Sequence, residues 1–491
     1  MRDSDRDVIT KAEETHSSDN MSMESEDDGE NIMIQTQDPH SLGENLTEAP
    51  ALMNFIKGNI GSGILSMPVV LRYAGLWVSC VLLTQFCYSF IRNQTGFFMI
   101  IFAGMLATYL MHVLVRVANS VRLRHALELS KMDYTETVFN VFKYGPYKLR
   151  KPKGKIKHTV NLFLIITQIG FSCVYTLFIT ENTRFFLRSF LKDTPLNFYV
   201  VALIVCLLLV PMCLTSNLRI LAHVSAAANV ATLIGTVLIF AYLFWSGLTP
   251  VSELPAFTNI KGGLIAFGIV MYSFEGISLV LPIQSKLAHP EVYSHPCGVL
   301  NSGMIIIVCM NALFAFFGYL RFGDKAEGSI TLNIPEYPYW FAPIKPLFVL
   351  AIIVTYLLQF YIPASIFARL MEKLRFHREA SDLRRYIHIK IMRVILVLFA
   401  YLMVITIPKL ELMISLIGSL ASSMLAFILP SVLEVVHLWP ERDTIRWFWF
   451  GVFTKHMVIM VIGLISFLGG SVATLIQLIE AFGEPDNPPS V

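Results

Sequence analysis

Charge is what this chain has least of. Of its 491 residues 15% are Asp, Glu, Lys or Arg and 55% are apolar, where a soluble domain has about a quarter charged. Cysteine is scarce as well. The seven, Cys80, Cys87, Cys173, Cys206, Cys213, Cys297 and Cys309, fall in or near apolar blocks, and none forms a C-x-x-C pair. That spacing points to neither a zinc site nor a disulfide framework. Within the apolar blocks no His, Asp and Glu stand together at metal or nucleophile spacing, so an integral membrane enzyme is the weakest class. The net charge of +3 says little about partners, because its sign changes from region to region.

What is present is apolar sequence in blocks, with a mean hydropathy of +0.61. The blocks run to about 20 residues, the length an α-helix needs to cross about 30 Å of hydrocarbon. Inside lipid the backbone must satisfy its own hydrogen bonds, so each block reads as a helix. Eleven spans are expected, at about 52–73, 96–118, 158–180, 196–214, 220–246, 261–285, 298–320, 343–368, 389–407, 410–437 and 452–481. The fold class is therefore all-α and integral to a membrane, and a seven-helix receptor fails on the count. The domain layout is a tail at 1–50, a transmembrane domain at 51–482 and a short C-terminal tail at 483–491.

The first 50 residues hold fourteen Asp or Glu and three Lys or Arg. So little apolar surface cannot offset the entropy of ordering, and the tail is expected to be disordered. It could recruit a cytosolic protein. Basic residues gather between the second and third spans (Arg122, Arg124, Lys131, Lys143, Lys148, Arg150, Lys151) and after the eighth (Arg369, Lys373, Arg375, Arg378, Arg384, Arg385, Lys390). With eleven spans both loops share a side, which the positive-inside rule assigns to the cytosol together with the N-terminus. Their juxtamembrane position favours contact with anionic membrane lipid over nucleic acid. Residues 77–94 do not fit the count. They add an apolar stretch too short to cross comfortably and read as an atypical insertion.

Two spans carry helix breakers. In the first, Lys57 to Pro68 reads KGNIGSGILSMP, and in the sixth, Ile269 to Pro282 reads IVMYSFEGISLVLP. Glycine weakens a helix through backbone entropy, and proline removes a backbone donor. The two spans lie five apart, the spacing of two inverted five-helix repeats that each open with a discontinuous helix. An unwound turn at mid-membrane offers N–H groups to a carboxylate and free carbonyls to an ammonium, which together suit a zwitterion. Close helix packing would account for small residues in one span alone. Glu275 sits in the second break. A charge at mid-bilayer costs about 2.5–3.5 kcal/mol on insertion scales, so a carboxyl there must face a cavity or hold a proton. His112, in the second span, is another titratable group at membrane depth. Gln359, Ser415, Ser419, Ser422 and Ser423 read mostly as hydrogen-bonding contacts between helices.

Several of these segments resemble the proton-coupled amino acid transporter family, within the amino acid/auxin permease group. They are KGNIGSGILSMP at 57–68, MDYTETV at 132–138, FLIITQIGFSCVY at 163–175, SFEGISLVLPI at 273–283, GYLRFGD at 318–324, SITLNIP at 329–335, LLQFYIPA at 357–364 and SLIGSLASSMLAFILPSVLEV at 415–435. The likeness runs in order from about residue 48 to 482. It implies a LeuT-like fold, a 5+5 inverted repeat plus one extra helix, and alternating-access symport of small neutral amino acids with protons. No cofactor is implied beyond the coupling ion, H+. The implied location is the plasma membrane or a lysosomal or vacuolar one. Carried over by motif, Asn59, Ile60, Gly61, Ser62 and Gly63, with Ser273, Phe274 and Gly276, would frame the substrate. Glu275 and His112 are the candidates for proton coupling.

The sequence departs from the resemblance in three places. Animal members carry a histidine, implicated in coupling, three residues before KGN, where this chain has Asn54, which cannot titrate. Their disulfide between the third-to-fourth loop and the segment after SITLN has no counterpart here. Removing Val78 to Gln94 would restore the family's short connection to the second span. Sodium-coupled symport, and an amino-acid sensor with little flux, are the alternative functions.

Overall fold

The computed structural model describes residues 47–483 except 76–95, 130–131, 148–152, 191–195, 215–217, 246, 251–258, 336–338 and 373. Nearly all of the acidic tail, most of the C-terminal tail and the insertion at 77–94 lie outside the described residues.

Among the described residues each of the eleven expected spans is helical. The first span is interrupted into α1 (Glu48–Asn59), α2 (Ser62–Leu65) and α3 (Met67–Ala74). Next come α4 (Gly96–Arg124), α5 (Tyr134–Tyr144), α6 (Lys153–Phe190), α7 (Phe198–Leu214) and α8 (Leu218–Trp245). The sixth span divides into α9 (Ile260–Ser273) and α10 (Ile277–Ser285), and α11 (Val299–Phe322), α12 (Ile344–Glu372) and α13 (Asp382–Thr406) follow. The tenth span joins α14 (Leu410–Ile417) to α15 (Leu429–Leu438) through a π-helical stretch, Gly418–Ile428. The eleventh joins α16 (Lys455–Leu464) to α17 (Ser471–Gly483) through another, Ile465–Gly470. Among the described residues nine helices are long and apolar enough to cross a membrane. The interrupted first span and the 17-residue α7 complete the eleven.

The outer surface fits lipid rather than water. Leu207, Leu233, Ile395 and Leu468 are 58–65% exposed, and a soluble protein rarely leaves so much apolar surface uncovered. Within the basic segment after α4 lies the helix α5. Asp133 caps α5, accepting a hydrogen bond from the Glu136 backbone N–H at 2.7 Å, which satisfies one of the free donors of the first turn. The two broken spans cross in opposite directions. α1 packs on α10 while α3 packs on α9, the relation that inverted repeats require.

Candidate functional site

The helix breaks face each other across the centre of this crossing. In the first span the chain leaves α1 at Asn59, and Ile60 and Gly61 take extended conformations before α2 begins. Pro68 stands in the first turn of α3, where its missing N–H would have had no helical acceptor anyway. In the sixth span Phe274, Glu275 and Gly276 separate α9 from α10. Two glycines make the approach possible. A Cβ on Gly63 would lie 2.9 Å from Ser273 Cα, and one on Gly276 would lie 1.9 Å from Asn59 Oδ1. At Gly63 the obstacle is backbone and no larger residue fits, whereas at Gly276 it is the Asn59 side chain, which would have to shift.

Between the breaks is a narrow crevice lined by Gly58, Asn59, Gly61, Gly63, Phe171, Tyr175, Tyr272, Ser273, Glu275 and Gln359. Its volume is about 10 Å³, room for about one water molecule, so an amino acid could enter only if the walls move. Of the residues expected from sequence, Asn59, Gly61, Gly63, Ser273 and Glu275 line it. The others border it or lie elsewhere. Ser62 shares a 3.1 Å hydrogen bond with the Tyr272 hydroxyl. Phe274 is buried and turns toward Gly104 of α4. Gly276 abuts Asn59, and Ile60 packs on the apolar core. His112 is not part of the crevice: its Nε2 lies 2.8 Å from Asn301 Oδ1, an interhelical contact between α4 and α11. Asn54 is exposed on α1.

The polar groups of the crevice are unevenly satisfied. Ser273 donates to Asn311 Oδ1 at 2.6 Å, and Asn311 donates in turn to the Ile307 carbonyl at 2.8 Å. Asn59 donates to the Phe55 carbonyl at 2.9 Å, while its Oδ1 is buried without a hydrogen-bond partner. Glu275 is 5% exposed, and among the described residues neither carboxyl oxygen meets a donor in hydrogen-bond geometry. Ser422 of the π-helical stretch stands beside it, and Tyr134 of α5 is close enough to feel its charge. Tyr134 itself donates to the Leu425 carbonyl at 2.7 Å. A buried carboxyl costs free energy when charged and unpaired. This arrangement suits a group that is neutral at rest or meets a cation.

Sequence reasoning missed the aromatic wall. Phe171 and Tyr175 stack at 6.1 Å between ring centroids, and Phe171 meets Tyr272 edge-on at 4.8 Å. Gln359, read as a helix contact, lies in the crevice beside the Tyr175 hydroxyl. Ser415 does join helices, donating to the Ile265 carbonyl at 2.9 Å.

The family described as transmembrane amino acid transporter protein matches residues 94–476, well over half of the chain. The chain belongs to this family. Its likeness to individual transporters reaches further toward both ends. It is 28% identical over 474 residues, 94% of this chain and 96% of the relative, to a Caenorhabditis elegans protein named probable amino acid transporter skat-1. It is also 28% identical over 465 residues, 92% of this chain and 90% of the relative, to the Drosophila melanogaster proton-coupled amino acid transporter-like protein pathetic. Membership of the transmembrane amino acid transporter family gives the crevice a context. It lies where two interrupted spans of a multi-span carrier meet, the usual place for substrate in transporters with broken helices.

Proposed function

We propose that the protein is a secondary active transporter that moves small neutral amino acids together with protons by alternating access. The observation that carries this reading is a buried carboxyl, Glu275, without a hydrogen-bond partner in the break between α9 and α10, directly across from the break between α1 and α2. The backbone freed at the two breaks supplies N–H groups for a substrate carboxylate and carbonyls for its ammonium. Gly61 and Gly63 bare the backbone at the break so that a substrate could reach it once the walls part, and the ring wall of Phe171, Tyr175 and Tyr272 would limit the side chain to a small one. The ammonium of an arriving amino acid, or a proton, would each neutralise Glu275. In this reading His112 is a structural contact and Glu275 alone carries coupling, since Asn54 has no titratable group. In this reading the basic loops favour a cytosolic N-terminus by the positive-inside rule, with the protein in a plasma, lysosomal or vacuolar membrane.

Uptake of labelled alanine, glycine and proline into proteoliposomes, with an imposed pH gradient and no sodium, tests the reading. Accumulation that follows the gradient supports it. Accumulation only when sodium replaces choline would make the protein a sodium symporter. Saturable binding without flux would make it a sensor.

A further inference from the structure

Away from the crevice, α4 and α16 part to leave a groove of about 380 Å³ open to the membrane. Phe102, Leu106, Val458, Ile459 and Ile462 form its apolar walls, and Tyr109 and Lys455 its other end. Lys455 is the anomaly. It is exposed on the lipid-facing surface of an apolar span and makes no salt bridge among the described residues. Its ammonium lies 4.9 Å over the centroid of the Tyr109 ring. Glu434 lies close enough to feel the charge of Lys455, but its ion pair is with Arg116 at 2.8 Å. Tyr109 is held in place from behind, its hydroxyl 3.2 Å from Nε2 of the buried His456. The cation is thus held at the end of the groove and makes no ion pair among the described residues.

An ammonium facing hydrocarbon is costly unless an anion meets it. Lys455 lies within about two helical turns of the exposed rings of Trp447, Trp449 and Phe450, which mark the level of the headgroups. The same face of the molecule carries the basic loop, joined to it by the Arg124–Glu441 ion pair at 2.6 Å. Lipid phosphates are the anions at that level, and the groove above Lys455 has the apolar lining an acyl chain needs. We propose that the groove binds an anionic phospholipid, one acyl chain between α4 and α16 and the headgroup phosphate on Lys455. A sterol would have no use for the ammonium, and free phosphate none for the groove.

The test is cross-linking in nanodiscs with a phosphatidylglycerol that carries a diazirine in its acyl chain, mapped by peptide mass spectrometry. The expected result is labelling concentrated on Phe102, Leu106, Val458 and Ile462. Labelling should fall about fivefold in Lys455→Gln, the effect of one charge near an anionic surface, and persist in Lys455→Arg. The same diazirine lipid with a phosphatidylcholine headgroup should label at the Lys455→Gln level. Equal labelling by both lipids, no change in Lys455→Gln, or labels spread evenly over the lipid-facing helices would each overturn the proposal.

Discussion

Gly63 and Gly263 belong to the two broken spans, and only one of them is crowded. A Cβ on Gly63 would press on the backbone of Ser273, whereas a Cβ on Gly263 meets nothing within 4 Å. Overpacking a tight contact costs about 1–3 kcal/mol, and here the obstacle is backbone that cannot rotate aside. Gly63→Ala is expected to lower the melting temperature in detergent and to cut uptake at least tenfold. Gly263→Ala should leave both close to the parent, or stabilise slightly through helix propensity. Equal behaviour of the two variants would mean that the breaks are not in contact. At this scale the sequence was informative where a residue type was unusual for its place: glycines and a carboxyl in an apolar span have few bland explanations. Phe171, Tyr175 and Tyr272 were illegible because aromatic residues are ordinary in such spans, and nothing local tells which way a ring faces.

Hydropathy located the elements well, for the reason that lipid demands them. Its limits show in α6, expected at about 158–180 and observed over Lys153–Phe190. The apolar pattern measures the thickness of hydrocarbon, and a helix is free to continue into water. The amphipathic α5 was hidden inside a loop read for its charge and for the MDYTETV likeness, not for a helix. The π-helical stretch Gly418–Ile428 was hidden too, because its serines looked like ordinary helix contacts. Along one face of α4, residues 109, 116, 120 and 124 form a polar ladder at helical spacing. Tyr109 reaches His456, Arg116 reaches Glu434, Ser120 reaches His437 at 2.9 Å, and Arg124 reaches Glu441. This ladder ties the second span to the tenth and eleventh on the basic side. The Glu434 side chain is 7% exposed and that of Arg116 59%, so the pair is intermediate between a surface and a buried one. Arg116→Gln, which strands the carboxylate, should destabilise by about 1–2 kcal/mol. Exchanging the charges, Arg116→Glu with Glu434→Arg, should recover part of the loss in thermal unfolding. No recovery would mean that the pair acts through packing rather than charge.

For the whole molecule, the consequential fact is that two interrupted spans cross antiparallel with their breaks in register. Five-span spacing in the sequence pointed to this arrangement, and the contacts of α1 with α10 and of α3 with α9 bear it out. The crevice at the crossing holds about one water, so under the proposed alternating access the helices around it would separate, first on one side of the membrane and then on the other. In the proposed mechanism Glu275 would make that movement depend on a proton: charged and unpaired it would resist closure, and neutral it would permit it. The direct measurement is to compare the parent and Glu275→Gln in proteoliposomes for two activities, accumulation driven by a pH gradient and exchange of labelled for unlabelled substrate at equal pH. The account predicts that the variant loses gradient-driven accumulation and keeps exchange, because its neutral side chain permits closure without a proton. Unchanged accumulation in Glu275→Gln would contradict it.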